Sequence, residues 1–476
     1  MRVARSSRAR AGCVTGCLTR LMAALLVFGL LALIVFTVVL VRNNRIDSQI
    51  PGDLPEVLED QRAAIGPASV VPPGDDSPGG LLVFTTRGDS PRPALSYLDG
   101  DPLAVRWDSA PLSGEQSPIP PALSGDLIYL ADGARLHALS LLDGERRWSA
   151  ELSAALPPGC ATCLQPLDGA VAALTEDQTL QVLSTEDGEA HWQITLQTLP
   201  RELHVIDGSP AVVDTLPDTN GSALLVFDAL SGAERQRIAP RCETDSAAET
   251  LSPGSPLLFD ENTGALYALF GFEQHGCAQR WDATDGRLVW SASVPLETSG
   301  WPRTWTTASP LLGEGAIYLA GADGASILAI DTAGGALSTL LRSATYRLAP
   351  WALEGGTLLV HAERLDSSEN DELWGIDAVS GEQLWQHPIT RDNSSWTAHR
   401  AVNGFVVAQL LADPQRLQVA LLDARRGVPL RLRNVPLGSA AWTGTTWTED
   451  TAWLTIGALY AVDLRTGIPA QVWSPP

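Results

Sequence analysis

Six cysteines are the residues whose spacing in this sequence most directly suggests chemistry. Cys160 and Cys163 are separated by two residues in PGCATCLQ, a spacing that can serve a redox dithiol, a haem attachment or half of a zinc site. Leu164 stands where a haem site needs histidine, and zinc needs a second close pair, whereas Cys242 and Cys277 lie 35 residues apart. The four cysteines beyond residue 45 are an even number in an oxidising location, which favours disulfides, and Cys160 and Cys163 could close a small loop.

Other catalytic signatures are absent from the sequence. There is no H-E-x-x-H, G-x-S-x-G or P-loop pattern, and the seven histidines are scattered singly. All 32 basic residues are arginine, so there is no lysine to form a Schiff base or to contact a nucleotide phosphate. The 55 acidic residues make neighbouring carboxylates common by chance, which is no positive sign of a site. The sequence therefore predicts a protein that is not an enzyme.

The charge is distributed unevenly along the chain. The net charge is −23, yet residues 1–45 contain seven arginines and no acid. The remaining residues then carry 25 arginines against 55 acids, a net charge of −30. Phosphate backbones would repel such a body, so we expect no nucleic-acid partner.

Leu21–Val41 is an uninterrupted apolar segment of 21 residues without a charge. At about 1.5 Å per residue, a helix of this length spans roughly 30 Å, the thickness of the hydrocarbon core. VRNNRIDSQI follows it instead of a cleavage site with small residues, which indicates an uncleaved signal anchor. Five arginines precede the segment and two follow it, so the positive-inside rule places residues 1–20, with Cys13 and Cys17, in the cytoplasm. We expect a single-pass cell-membrane protein whose body is extracytoplasmic.

Residues 42–80 are rich in Pro, Gly and Asp, and we expect an extracytoplasmic linker with little structure of its own.

The body beyond them, 81–476, is a series of repeats. Each repeat has short apolar strands, a turn with glycine, and a last strand that in the best copies ends in tryptophan, as in PALSGDLIYLADGARLHALSLLDGERRW. The glycine recurs 40 to 54 residues apart, at Gly144, Gly188, Gly232, Gly286, Gly335, Gly381, Gly427 and Gly467.

This period is the length of one four-stranded β-propeller blade, and it gives the chain no βαβ unit that could make Cys160 and Cys163 a thioredoxin-like pair. We therefore predict an all-β fold, a propeller over 81–476 preceded by one transmembrane helix. Eight complete units indicate eight blades, while a partial copy at 81–107 leaves seven or nine open.

The turn sequence from Asp377 through Gly381 to Trp385 resembles the tryptophan-docking motif of pyrroloquinoline-quinone (PQQ)-like propeller repeats, with Gly375 in place of an alanine. The resemblance covers residues 81–476 and implies that tryptophans dock one blade onto the next. The tryptophans in this register are Trp107, Trp148, Trp192, Trp290 and Trp385. Four blades have another residue there, namely Gln236, Thr339, Arg431 and Gln471.

The PQQ-like family includes quinoprotein dehydrogenases, which hold PQQ beneath a disulfide of adjacent cysteines and use a calcium ion. No adjacent cysteine pair occurs in this sequence, so we expect neither PQQ nor calcium. The resemblance extends to the non-catalytic lipoprotein propellers of bacterial outer-membrane assembly, which implies a protein-binding scaffold in the cell envelope with a protein partner. A quinone-dependent or other propeller oxidoreductase, a hydrolase, and a surface receptor for glycans or small ligands are the alternatives.

In an up-and-down blade, the links between blades and the loops between the second and third strands lie on one face. Cys242 and Cys277 both fall in such segments, so a disulfide between them is expected.

Trp301, Trp305 and Trp396 fall on the same face, outside the docking register. Loop tryptophans with polar neighbours are typical of recognition surfaces, so these three form the candidate binding face. The alternative is that their rings plug the wide end of the channel.

Overall fold

The computed structural model describes residues 63–473. The short ranges excepted are 74–78, 88–89, 101, 114–118, 201, 217–221, 244–247, 251–256, 261, 273–274, 296–309, 322, 366–370, 390–394, 413–414 and 437–441. The predicted cytoplasmic tail, the membrane segment Leu21–Val41, and Cys13 and Cys17 lie outside this part of the chain. Within the described residues, no helix is both long and apolar enough to cross a membrane.

Nine four-stranded antiparallel sheets follow one another along the described chain, each a simple meander. Blade 1 comprises β1 Ala63–Val71, β2 Gly80–Arg87, β3 Ser90–Asp99 and β4 Ala104–Asp108. Blade 2 comprises β5 Ala122–Ser124, β6 Leu127–Asp132, β7 Arg135–Ser140 and β8 Arg146–Glu151. Blade 3 comprises β9 Leu164–Leu167, β10 Ala170–Leu174, β11 Thr179–Ser184 and β12 Ala190–Thr195. Blade 4 comprises β13 His204–Ile206, β14 Ser209–Thr215, β15 Ser222–Phe227 and β16 Glu234–Ile238.

A separate hairpin, β17 Arg241–Glu243 and β18 Ala248–Thr250, follows blade 4. Blade 5 comprises β19 Leu257–Asp260, β20 Ala265–Phe272, β21 His275–Asp282 and β22 Leu288–Pro295. Blade 6 comprises β23 Leu311–Leu312, β24 Ala316–Ala320, β25 Ser326–Asp331 and β26 Leu337–Arg342. Blade 7 comprises β27 Tyr346–Glu354, β28 Thr357–Arg364, β29 Asp371–Asp377 and β30 Gln383–Ile389. Blade 8 comprises β31 Ser395–Ala401, β32 Gly404–Ala412, β33 Gln415–Asp423 and β34 Pro429–Pro436, and blade 9 comprises β35 Trp442–Trp447, β36 Thr451–Ile456, β37 Ala458–Asp463 and β38 Ile468–Trp473.

The burial of each strand follows its position in the blade. First strands of neighbouring blades touch one another, as β5 touches β9 and β27 touches β31, so they line the centre of the ring. Second and third strands are buried on both faces because each blade lies between two others; β10 is buried at all five residues. Fourth strands form the rim, and β16, with sequence ERQRI, is mostly exposed. Apolar residues of adjoining blades therefore form the core as a series of interblade layers.

Blade 1 closes the ring against blade 9. The backbone N–H of Ala64 in β1 donates to the carbonyl of Gly457, 3.0 Å away. Thr446 Oγ1 of β35 donates to the carbonyl of Ala68. Trp473 of the last strand is buried in the layer that these two blades share.

The prediction of eight blades is wrong, because the structure has nine. The missing strand is β1, at Ala63–Val71, within the range predicted to be a linker; the propeller thus begins before residue 81. Its sequence AAIGPASVV contains Gly66, with a φ of 70°, and its pairing with β2 is interrupted between Ile65 and Ser69. A bulge built from Gly and Pro hides the alternation by which a strand is recognised in a sequence.

The ring has two faces. The link face carries the links between blades and the connections from second to third strands. The turn face carries the tight turns from first to second and from third to fourth strands.

Candidate functional site

The five tryptophans in the docking register all tie one blade to the next. Each indole Nε1 donates to a backbone carbonyl three residues before the repeat glycine of the following blade. The bonds run from Trp107 to Leu141 (2.9 Å), Trp148 to Thr185 (2.9 Å), Trp192 to Ala229 (2.9 Å), Trp290 to Thr332 (2.9 Å) and Trp385 to Ala424 (2.6 Å). A buried indole needs a partner for its N–H, and this carbonyl supplies one at every docked junction.

The turn requires glycine at the repeat position because of its backbone conformation. Gly381 has a φ of 74°, and its N–H donates to the carbonyl of Asp377 at 2.9 Å. The Asp377 carboxylate accepts the backbone N–H of Ser380 at 2.7 Å, which lowers the pKa of Asp377 and closes the turn. All eight repeat glycines have positive φ, as the pattern predicts.

Junctions without the tryptophan use other contacts. Between blades 4 and 5, Gln236 takes the place of the indole. When its side-chain amide is oriented so that both the nitrogen and the oxygen are hydrogen-bonded, the nitrogen donates to Ala283 O at 3.0 Å and the oxygen accepts from Gly286 N at 2.6 Å. At the ring closure, Trp473 lies two residues beyond Gln471 and fills the layer in its place.

Cys160, Cys163 and Cys277 lie towards the link face. Cys160 and Cys163 form a disulfide in the link between blades 2 and 3, with their Cα atoms 5.5 Å apart. Cys277 in β21 is also disulfide-bonded and fully buried. The backbone of Cys242 lies in hairpin β17–β18, while its side chain is outside the described residues, so the pairing of Cys242 with Cys277 stays a prediction.

Of the three tryptophans predicted to form the binding face, Trp301 and Trp305 fall outside the described residues. Trp396 is described and lies at the link-face end of β31, the innermost strand of blade 8. It is half-buried and packs against the layer between blades 7 and 8. This position combines partial exposure with a fixed orientation.

Trp396 belongs to a cluster that sequence analysis did not find, which we call the blade 7–8 cluster: Trp351, His361, Asp371 and Trp396. The ring centres of Trp351 and Trp396 are 4.4 Å apart. The imidazole of His361 meets Trp396 edge to face at 4.9 Å and Trp351 at 6.0 Å. Trp351 Nε1 donates to the carbonyl of Ala398 at 2.9 Å, which fixes its indole across the blade boundary.

Asp371 gives the cluster a charged edge. Asp371 is 8% exposed, and its Oδ2 lies 3.4 Å from His361 Nε2. Its Oδ1 accepts the backbone N–H of Arg364 at 3.3 Å. A carboxylate beside the imidazole favours a proton on Nε2 and orients the ring. The cluster therefore presents two fixed indoles and a hydrogen-bonding edge, a combination suited to docking a partner side chain.

The aromatic character continues into blade 9. His399 of β31 stacks on Trp447 of β35 with ring centres 4.5 Å apart and planes at 15°. Burial lowers the pKa of His399, so its ring is neutral near pH 7. The innermost strands of blades 7 to 9 carry Trp351, Trp396, Trp442 and Trp447. The innermost strands of blades 2 to 6 have no tryptophan in their described residues. One sector of the ring centre is thus aromatic.

The family of outer membrane protein assembly factor BamB matches this sequence over residues 101–268 and 262–474, more than half of the chain. The chain belongs to this family. No curated protein sequence matches it. The BamB family propeller is similar to the crystal structure of BamB from Moraxella catarrhalis, with 14% identity, 81% of this chain and 92% of that chain covered, and a TM-score of 0.42.

Two further solved structures are similar to this BamB family member. Quinohemoprotein alcohol dehydrogenase from Comamonas testosteroni has 12% identity over 73% of this chain and 71% of its own, with a TM-score of 0.44. Sqt1 from Saccharomyces cerevisiae has 10% identity over 75% of this chain and 98% of its own, with a TM-score of 0.41.

In this BamB family propeller, no group of three or more His, Cys, Asp or Glu side chains that could hold a metal ion converges among the described residues. Trp351, His361 and Asp371 were missed because their contacts depend on how blade 7 meets blade 8. One signal was available: Trp351 is a tryptophan outside the docking register, like Trp396.

Proposed function

We propose that this chain is a non-catalytic, membrane-anchored extracytoplasmic propeller that serves as a protein-binding scaffold in assembly of the cell envelope. The observation that carries the proposal is the match over residues 101–474 to a family described as an outer membrane protein assembly factor. The proposal includes no PQQ, calcium or nucleic-acid partner.

The anchor in this proposal is Leu21–Val41, with residues 1–20 in the cytoplasm and the propeller outside. Its support is the apolar length of the segment and the excess of arginine before it. A protein tethered in this way is held close to membrane partners, which raises their effective concentration.

The blade 7–8 cluster is the proposed docking site. Interface energy is concentrated in a few aromatic and charged residues held in fixed positions, and Trp396 is fixed by Trp351 and His361. The cluster lies at the link face, close to where β28 ends at Arg364 and β29 begins at Asp371. A partner that inserts one apolar group beside Trp396 could also bond to the His361–Asp371 edge.

Cross-linking of the full chain in its native membrane, followed by mass spectrometry, tests the scaffold. We expect cross-links from link-face residues of blades 7 and 8 to an envelope protein, weakened several-fold by Trp396→Ala while circular dichroism stays unchanged. The proposal fails if no partner is recovered, or if Trp396→Ala leaves every cross-link intact.

A separate assay tests the absence of catalysis. The purified full chain, supplied with PQQ and calcium, is given alcohols or sugars and an artificial electron acceptor dye. We expect no saturable dye reduction. Saturable turnover above the protein-free rate would replace the scaffold by the oxidoreductase alternative.

A further inference from the structure

A cavity of about 700 Å³ lies between blades 1 and 2, and no residue of the blade 7–8 cluster lines it. Its walls are the link that follows β4, around Leu112, and the outer strands β7 and β8 of blade 2. Small-molecule sites typically have volumes of ~300–1,000 Å³. The cavity is therefore large enough for an organic ligand.

Charged groups are separated along this cavity. At its link-face end, Asp132 accepts the backbone N–H of Ser113 at 2.8 Å and its hydroxyl at 2.9 Å. At the same end, Arg135 pairs with Glu151 at 3.6 Å. Asp132 and Glu151 against Arg135 leave the link-face end with a net charge of −1, which disfavours an anionic group there.

Arg146 lies at the other end, at the start of β8 and opposite Leu139 of β7. Among the described residues, no ion pair involves this arginine. Arg146 lines the cavity, and its guanidinium has five N–H donors in a planar fork, a geometry that fits carboxylate, sulfonate or phosphate oxygens.

His137 lies between the two ends, with its side chain 12% exposed. Burial and the nearby Arg146 lower the pKa of this imidazole, so it is neutral near pH 7. Ser149 Oγ lies 2.9 Å from Nδ1, and Asp132 Oδ2 lies 4.0 Å from Nε2. With the Ser149 hydroxyl donating to Nδ1, the proton is on Nε2, where it offers a second donor to a ligand.

This order of Asp132, His137 and Ser149 resembles that of a hydrolytic triad, but the geometry is that of a binding site. A separation of 4.0 Å is beyond hydrogen-bond range, so the carboxylate does not orient the imidazole directly. Ser149 is also not among the residues that line the cavity.

The remaining wall is apolar. Leu112, Leu130, Leu139 and Leu152 line the cavity, and each is less than 9% exposed. Leu130 of β6 lies opposite His137, while Leu152 follows β8 at the link-face end, where its N–H donates to the carbonyl of Ala134. The cavity thus combines one available cation with an apolar body.

We propose that this cavity binds a small amphipathic organic anion. Its anionic group binds Arg146 at the turn-face end, its apolar body packs on Leu130 and Leu152, and His137 donates to it midway. The net charge of −23 repels organic anions from most of the surface, which makes a saturable anion site here distinctive. The site is independent of the scaffold role.

Isothermal titration of the full chain in lipid nanodiscs tests this site with 4-phenylbutyrate, and empty nanodiscs give the blank. The neutral 4-phenylbutan-1-ol and the cationic 4-phenylbutylamine are the comparison ligands. We expect one saturable site for 4-phenylbutyrate and at least ~10-fold weaker binding of the other two, the size expected when a hydrogen bond to a charged group is lost.

Two arginine variants locate the site. Arg146→Gln should weaken 4-phenylbutyrate binding by ~10-fold. Arg147→Gln should leave it unchanged, because Arg147 pairs with Asp143 at 3.8 Å and does not line the cavity. Leu152→Gln should weaken it by placing a polar side chain in the apolar wall, with the fold checked by circular dichroism. No saturable binding, equal binding of the alcohol, or an Arg146→Gln affinity equal to wild type would overturn the proposal.

Discussion

The indole of Trp148 in blade 2 covers Gly188 of blade 3 so closely that a Cβ atom on that glycine would lie 2.6 Å from Trp148 Cε3. The same indole donates its N–H to Thr185 O at 2.9 Å. One tryptophan and one glycine therefore join two blades by both packing and a hydrogen bond. Because a blade cannot bury both faces of its sheet alone, such junctions hold the ring together.

Removing the Trp148 ring should weaken the ring of blades. Trp148→Ala loses the packing over Gly188 and the bond to Thr185, and we expect the free energy of unfolding to fall by roughly 3–5 kcal/mol. Trp148→Phe keeps an aromatic ring but loses the N–H donor, so it should lose clearly less. Urea unfolding followed by circular dichroism measures both, and an equal loss in the two variants would show that the ring itself adds nothing.

A methyl group at Gly188 should cost more than one at a glycine in open space. Gly169 has a similar φ of 68° against 76° for Gly188, but a Cβ there meets nothing within 4 Å. Gly169→Ala should therefore lose only about 1–2 kcal/mol, from the left-handed backbone conformation. Gly188→Ala should lose a further ~1–3 kcal/mol from overpacking against Trp148. Equal losses in urea unfolding would contradict the contact.

The closure of the ring can be tested at Thr446. Its hydroxyl donates to the carbonyl of Ala68 and so ties blade 9 to β1. Thr446→Val keeps the shape and removes the donor, and we expect a loss of about 1 kcal/mol or somewhat more, since the carbonyl loses its partner. Thr446→Ser retains the hydroxyl and should lie closer to wild type. Thermal unfolding compares them, and a valine variant as stable as wild type would argue against this closure contact.

Stability should fall as the solution becomes mildly acidic. Burial lowers the pKa of His387, so its neutral form is favoured in the folded state. As the pH falls past about 6.5, the unfolded chain therefore takes up a proton before the folded chain does. The stabilisation that is present above this pH is lost progressively until the pH has fallen through the lower pKa of the folded state. His387→Gln should make the free energy of unfolding vary less between pH 7 and pH 5. An unchanged pH dependence would contradict this prediction.

The repeat pattern allowed much of the fold to be predicted. Glycine and tryptophan at fixed spacing report local turn geometry and one contact between neighbouring blades, and both are encoded within about 45 residues of sequence. The partial copy at 81–107 was not counted as a complete blade because its first strand, β1, has the Gly66–Pro67 bulge. The contacts that β1 makes in closing the ring lie at the far end of the chain, around Gly457. Sequence spacing carries no signal for a contact that only ring closure creates.

The candidate site was only partly predictable. Trp396 was recognisable as a tryptophan outside the docking register. His361 and Asp371 look like ordinary strand residues. His361 meets both Trp396 and Asp371 because β28, the start of β29 and the start of β31 converge. The Gln236 junction was hidden for a related reason, because an amide can replace an indole only when both backbone partners are correctly placed.

The central claim is that the link face of blades 7 and 8 docks a protein partner. Site-directed photo-cross-linking tests it with a benzophenone amino acid in the full chain, in its native membrane, at one of two exposed positions of blade 7. Leu365 lies at the link-face end of β28 and is 57% exposed, while Val379 lies in the turn-face turn and is 90% exposed. We expect a discrete adduct with one envelope protein from position 365 and none from position 379. Adducts from 379 alone, or equal adducts from both, would contradict the account.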